Sequence, residues 1–326
     1  MEKESFIRDC PPLRIVFMGT PAFAVKTLET ILDSHHQVVG VVTAMDKPAG
    51  RGKKIKESDV SVFAKARALN VLQPENLKDE QFVAQLEALK ADLFVVVAFR
   101  MLPKVIWAMP PKGTINLHAS LLPQLRGAAP INWAIMNGLK ETGVTTFFIN
   151  EVIDTGKIID QRKVSIGENM NCGELHDVLK NEGAQLLLET INQLSRGGIE
   201  AMEQESKVST EAPKIFKKDC AINWEMTGEQ IHKHILGLSP YPAAWCMLYN
   251  RKKQEQFQFK LLASQLNNQS PKKDSKQLIL GENGILFPCS DGYIAIQELQ
   301  AEGKTRMNYK AFIAGNDVSD WELIKN

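Results

Sequence analysis

The chain has 326 residues, 44% of them hydrophobic, with 39 Lys and Arg against 38 Asp and Glu and a net charge of +1. This is globular material, long enough for two domains. It excludes a polycation that would hold nucleic acid by its bulk field, so any such contact needs a local patch. Five cysteines, an odd number with none paired at zinc-site spacing, predict reduced thiols in a cytoplasmic protein and supply no metal site. The charged start, Met1 to Asp9, lacks the apolar core of a signal peptide. Leu93 to Phe99, the longest apolar run of the first half, is far below the roughly 20 residues of a membrane helix.

The chain opens with a β-branched and apolar run, Arg14-Ile-Val-Phe-Met18, then Gly19-Thr20-Pro21 and the helical pattern Phe23 to Ile31. This predicts strand, tight turn and helix, with Thr20 as cap and Pro21 in the first helical position. Gln37 to Thr43 reads as a second buried strand and Ser58 to Ala68 as a helix. Leu93 to Ala98 and Gly113 to Leu117 read as further continuous apolar strands. Strands without alternation, spaced by helices, predict a doubly wound, mostly parallel α/β sheet that binds ligands beyond its carboxyl edge. Thr145 to Ile149 and Lys157 to Val164 are additional strands around Asp154-Thr-Gly156, and Gly173 to Gln193 is a long helix. After Arg196-Gly-Gly198 the texture turns polar. Shorter strands follow at Phe257 to Ala263, Gln277 to Leu280, Ile285 to Pro288 and Tyr293 to Leu299, with turn signals at Asn283-Gly284 and Asp291-Gly292. These predict a small β-barrel or sandwich with a helix, Thr227 to Leu236, near its start. The expected division is 1–205 for the α/β domain, 206–218 for a polar linker and 219–326 for the barrel.

Three stretches carry chemistry. In Asn116-Leu-His-Ala-Ser-Leu-Leu-Pro123, Asn116 and His118 are two residues apart at a strand end, so they share a side. An amide and an imidazole can converge there on one carbonyl oxygen, as acyl transfer requires; a turn asparagine and a satisfied histidine are the plainer alternative. Asp154-Thr-Gly156 places a carboxylate that can orient an imidazole or relay a proton, although Asp and Gly are also ordinary turn residues. Lys47-Pro-Ala-Gly-Arg-Gly-Lys-Lys-Ile-Lys56 holds five basic residues and two glycines after a strand. It reads as a cationic loop on the ligand side that suits a phosphate backbone, or as a solvated surface loop. It lacks the first glycine of a Walker A loop, and Gly19-Thr-Pro-Ala-Phe23 is no dinucleotide fingerprint.

Taken together, Met18-Gly-Thr-Pro-Ala-Phe-Ala-Val25, Pro48-Ala-Gly-Arg-Gly-Lys-Lys54, Asn116 to Pro123, Arg126-Gly-Ala-Ala-Pro-Ile131 and Asp154-Thr-Gly156 resemble the methionyl-tRNA formyltransferase family in order and spacing. Lys214-Ile215 and Ser239-Pro-Tyr-Pro-Ala-Ala-Trp245 extend the resemblance over nearly the whole chain. It implies a Rossmann-like formyltransferase domain followed by an OB-like barrel that holds tRNA. The implied formyl donor is 10-formyl-tetrahydrofolate and the implied acceptor is the α-amine of methionyl initiator tRNA, with no metal and a monomeric enzyme. Asn116, His118 and Asp154 fall on the catalytic trio. Folate contacts fall on Ser120, Leu121, Leu122 and Pro123 and on Val97, Ala98 and Phe99. tRNA contacts fall on the basic loop, with Arg51 at its centre and Lys47, Lys53 and Lys54 around it. The chain departs from the family at Ala44-Met45, where Gln-Pro is common, at Phe99-Arg100, where Tyr-Gly is common, and at Tyr241, where tryptophan is usual. The nearest alternative is a folate-dependent formyltransferase acting on a small amine such as an amino sugar nucleotide; a second is a tRNA-binding protein without activity.

Overall fold

Ile15, Val16, Phe17 and Met18 are fully buried without alternation, so their strand must be covered on both faces. It is an interior strand of a seven-stranded sheet formed by β1 (Arg14–Gly19), β2 (Gln37–Val42), β3 (Val71–Leu72), β4 (Leu93–Val97), β5 (Thr114–His118), β6 (Glu141–Phe148) and β7 (Ile158–Ser165), in the order β7-β6-β5-β4-β1-β2-β3. The strands β1 to β5 pair in parallel, while β6 runs antiparallel to β5, and β7 antiparallel to β6. Strand order reverses between β1 and β4, which puts the ligand crevice of such a sheet at the carboxyl ends Gly19 and Val97, one strand from His118.

The computed structural model describes residues 10–49, 54–205, 210–267 and 275–325, with backbone alone for 47–49 and 54–55. It divides into two compact units. The first comprises Met1–Gly127, Glu141–Ser165 and His176–Ala212, and the second Ala128–Lys140, Ile166–Leu175 and Pro213–Asn326. The units therefore interleave along the sequence.

In the first unit, helix Ala22–Leu32 follows β1, but Pro21 itself stands at its N-cap, with no side-chain cap. Thr20 does not cap: its carbonyl instead accepts from Val60 N at the start of the next helix. That helix, Asp59–Ala66, is capped by Ser58, whose hydroxyl accepts from Ser61 N. Helix Glu80–Ala88, absent from the sequence-based reading, buries Phe82 and Leu86. From His176 to Arg196 the long helix Cys172–Arg196 buries Leu179, Ala184, Leu187, Ile191 and Leu194 at helical spacing. Gly183 lies against Leu117 and Val144, where a Cβ would meet Leu117 at 2.9 Å.

The second unit is built on an antiparallel sheet of β8 (Ala244–Asn250), β9 (Glu255–Asn267), β10 (Ile279–Leu280), β11 (Ile285–Pro288), β12 (Tyr293–Ala301), β13 (Met307–Asn308) and β14 (Trp321–Ile324). The path runs β10-β11-β12-β9-β8-β14, with β13 on β12. Irregular register at Leu261/Ala263 and Ala263/Ser264 bends β9. An antiparallel bridge, Gln277 to Glu322, joins the two ends of the path and closes the barrel. Phe259, Phe287, Ile294 and Trp321 fill its core. Helix Gly228–Leu238, with a Thr227/Gln230 capping box, buries Ile231, Ile235 and Leu238 against it. Helix Pro130–Met136 belongs here because Asn132 Nδ2 donates to Gly237 O at 2.7 Å, and Gly237 leaves room for Met136. The expected strands and the helix are present. Strand β8, strand β14 and the helix Tyr309–Gly315 had no predicted counterpart. The polar stretch read as a linker contains a strand, Glu211–Ala212, and a 3-10 helix, Lys217–Cys220.

Candidate active site

His118 is the last residue of β5 and Asn116 lies two before it on the same side. Asn116 is half-buried, and among the described residues no hydrogen bond engages its amide. His118 is 6% exposed. Its Nε2 lies 2.9 Å from the Leu125 carbonyl oxygen. A carbonyl only accepts, so Nε2 carries a proton. The other ring nitrogen, Nδ1, faces Asp154 Oδ2 at 3.8 Å.

Asp154 comes from the β6–β7 loop, whose conformation is set locally. Asn150 Oδ1 accepts from Val152 N and from Thr155 Oγ1, both at 3.0 Å. Asp154 adopts φ +54, a left-handed conformation an aspartate tolerates better than most residues. Gly156 is required sterically: a Cβ would stand 1.6 Å from Phe148 O. Oδ2 of Asp154 also accepts from Gly127 N at 3.0 Å, which leaves the second carboxylate oxygen for solvent or substrate.

The Ser120–Pro123 loop is held from beneath. Thr145 Oγ1 donates to Ser120 O at 2.6 Å and accepts from Leu122 N at 3.1 Å. Gln161 Nε2 donates to Leu122 O and to Thr145 Oγ1, both at 2.9 Å. Ser120 is fully buried and donates its hydroxyl to Gln124 O, while Leu122 packs on Phe147 and Ile158. Both shape the loop, and Leu121 and Pro123 are the members with exposed surface. At the end of β4, Val97 is buried, Ala98 is exposed at φ +47, and Phe99 is half-buried. Just beyond lies a cavity of about 740 Å³ lined by Lys78, Met101, Leu102 and Val105 among others. None of the trio lines it. Arg100 does line it, its guanidinium donating to Pro74 O and to Glu75 O, the latter at 2.8 Å.

The basic stretch forms an antiparallel ribbon, Lys47–Ala49 with Lys54–Lys56, beyond the carboxyl end of β2. Arg51 and Lys53 lie outside the described residues, as do the side chains of Lys47 and Lys54. Cys10, His35 and His36 bring one potential ligand atom each to within 4.8 Å of one another. His36 is already engaged at both nitrogens, Nδ1 accepting from Leu13 N and Nε2 facing Asn192 Oδ1. That arrangement is structural. Sequence reasoning missed the Leu125 carbonyl, Thr145, Gln161 and Gln204, whose roles come from long-range hydrogen bonds that leave no local pattern.

The Formyl transferase family matches residues 13–191, and Formyl transferase, C-terminal domain, matches residues 214–317. The chain is 48% identical over 309 residues to the methionyl-tRNA formyltransferase of Flavobacterium johnsoniae, covering 94% of this chain and 98% of that one. It is 46% identical over 313 residues to the methionyl-tRNA formyltransferase of Bacteroides fragilis, covering 94% and 96%. Among solved structures, it resembles HypX from Aquifex aeolicus in complex with tetrahydrofolic acid, with TM-score 0.63 and 16% identity over 93% of this chain and 47% of that chain. It also resembles WlaRD, a sugar 3N-formyl transferase solved with dTDP and 5-N-formyl-THF, with TM-score 0.63 and 21% identity over 90% and 99%. At these identities the two structures establish a shared fold.

Proposed function

The chain belongs to the formyl transferase family, with methionyl-tRNA formyltransferases among its relatives, and from that premise we infer that it transfers a formyl group from 10-formyl-tetrahydrofolate to the α-amine of methionyl initiator tRNA. The observation that carries the reading is the unengaged amide of Asn116 beside the His118–Asp154 pair, at the carboxyl edge of a doubly wound sheet. The expected working form is a cytoplasmic monomer; among the described residues no helix is long and apolar enough to cross a membrane.

The folate supplies the formyl carbon and, as its nitrogen leaves, a place for the transferred proton. Asn116 donates its amide N–H to the formyl oxygen as negative charge develops there. In its neutral form the His118 ring carries its one proton on Nε2, held by Leu125 O, and presents a lone pair at Nδ1. Nδ1 therefore accepts the proton of the attacking amine. The imidazolium so formed is stabilised on one side by Leu125 O and on the other by the Asp154 carboxylate, in a site where both side chains are largely shielded from water. It returns the proton to the departing nitrogen. Asp154 thus acts by orienting and stabilising His118, a sharper role than direct proton removal. Ala98, Phe99, Leu121 and Pro123 offer the folate its contacts. Arg51, Lys47, Lys53 and Lys54 offer the tRNA acceptor end cationic ones.

The test is a folate-dependent formylation assay with initiator Met-tRNA, elongator Met-tRNA and an amino sugar nucleotide as acceptors. Transfer to the initiator is expected to dominate. Transfer to the sugar nucleotide alone would overturn the tRNA assignment.

A further inference from the structure

Both groups that hold His118, the Leu125 carbonyl and the Asp154 carboxylate, are tied to one polar segment, the stretch after the long helix. Its start is fixed by paired backbone bonds between Met202 and Ile158, each 2.8 Å. Beyond it, Thr210 O accepts from Leu125 N at 2.8 Å, and Glu211–Ala212 pairs in parallel with Arg126–Gly127. Between these lies Gln204. Its Nε2 donates to Asp154 O at 3.0 Å and to Gly156 O at 2.7 Å. Its Oε1 accepts from Arg126 Nε at 3.1 Å and from Nη2 of the same guanidinium. The side chain therefore bridges the loop that carries Asp154 and the segment that follows Leu125.

We propose that Gln204 is a positioning residue that sets the Asp154 carboxylate against His118 Nδ1. The chemistry demands an amide. Two carbonyl oxygens on one side need donors, and a guanidinium on the other needs an acceptor; glutamate supplies no donor and lysine no acceptor. Within the loop Asn150 holds the turn from Val152 to Thr155, and Gln204 adds a clamp from outside it at Asp154, which sits in the left-handed region at φ +54. The Gly127 N–H that anchors Oδ2 belongs to the same bridged segment, so one side chain coordinates both anchors of the carboxylate. Gln204 touches neither the Asn116 amide nor the Ser120–Pro123 loop in any hydrogen bond among the described residues, so its influence runs through Asp154.

The inference rests on the roles given to His118 and Asp154, and a double-mutant cycle separates the two. Gln204→Glu keeps the acceptor for Arg126 but sets a carboxylate oxygen against two carbonyls. It is expected to lower kcat about 10-fold or more, with KM for formyl donor and Met-tRNA within about 3-fold, because only transition-state alignment is lost. Gln204→Ala should act in the same direction. In an Asp154→Asn background, Gln204→Ala should change kcat by less than about 2-fold, since residues acting as a unit are not additive. A kcat for Gln204→Glu equal to that of the parent would overturn the proposal, as would an equal fold-loss from Gln204→Ala in both backgrounds. A fully active Asp154→Asn enzyme would instead remove the reading on which the proposal stands. Circular dichroism melts on each variant identify any loss that comes from unfolding.

Discussion

Asn116 and Gly156 are the residues at which single atoms decide most. The Asn116 side chain offers N–H groups that no described protein atom uses, so Asn116→Ala is expected to remove one preorganised donor and lower kcat about 100- to 1000-fold. Steady-state formylation measures this, and turnover near that of the parent would contradict the role. At Gly156 a methyl group meets Phe148 O at 1.6 Å, so the loop must move and take Asp154 with it. Gly156→Ala should therefore lose both thermal stability and kcat, and a variant with unchanged melting and turnover would show that the close approach is absent. The five cysteines are the opposite case. All are buried, and burial raises the Cys172 thiol to about 12 and the Cys289 thiol to about 11. Those two thiols stay protonated and inert at neutral pH.

The loops around the trio take their shape from neighbouring strands. Thr145, on β6 and fully buried, satisfies Ser120 O and Leu122 N together and accepts from Gln161. Thr145→Val preserves shape but leaves those backbone groups unpaired, at a cost of about 1–3 kcal/mol. The expected outcome is a lower melting temperature and a raised KM for the formyl donor, read by thermal denaturation and donor titration; no change in either would sink the account. The strands of the sheet were legible because their residues are apolar in unbroken runs, a pattern that burial on both faces imposes. Helix Glu80–Ala88 was not, because only Phe82 and Leu86 of its nine residues are buried. Strand β8 was hidden for another reason. Its alternating burial, in Ala244, Cys246, Leu248 and Asn250, is written over half-exposed Trp245, Met247 and Tyr249, so the sequence does not alternate in polarity.

The whole molecule carries two linked expectations. With a net charge of +1, tRNA affinity has to come from clustered cations. From Lys207 onward there are only 16 Lys and Arg against 13 Asp and Glu. KM for Met-tRNA should accordingly rise steeply with salt while KM for the formyl donor changes little; parallel behaviour of the two would argue against a phosphate-contacting acceptor site. Arg51→Ala should likewise weaken use of charged tRNA far more than use of folate. The second expectation concerns pH. Burial pushes His36, His232 and His234 below the ordinary value of 6.5. The unfolded chain therefore takes up these protons at a higher pH than the folded one. The stability they confer is present above 6.5 and is lost as pH falls through the lowered folded values. Thermal melts between pH 8 and pH 5 should show a falling midpoint, and a flat profile would contradict the burial of these rings.

The sequence by itself determined the fold class, the family and the identity of the catalytic candidates. Hydrophobic period and short motifs are local properties, and Asn116 and His118 stand on one side of a strand wherever that strand lies. Which ring nitrogen of His118 meets Asp154 was decided only by the tertiary structure. It depends on Leu125 O, seven residues away around a loop, and on Asp154, brought in from a different hairpin. The interleaving of the two units and the hydrogen bonds of Gln204 were decided the same way. A glutamine in a polar stretch has no periodicity to betray it, and its three partner residues are distant in sequence and meet only once the chain has folded.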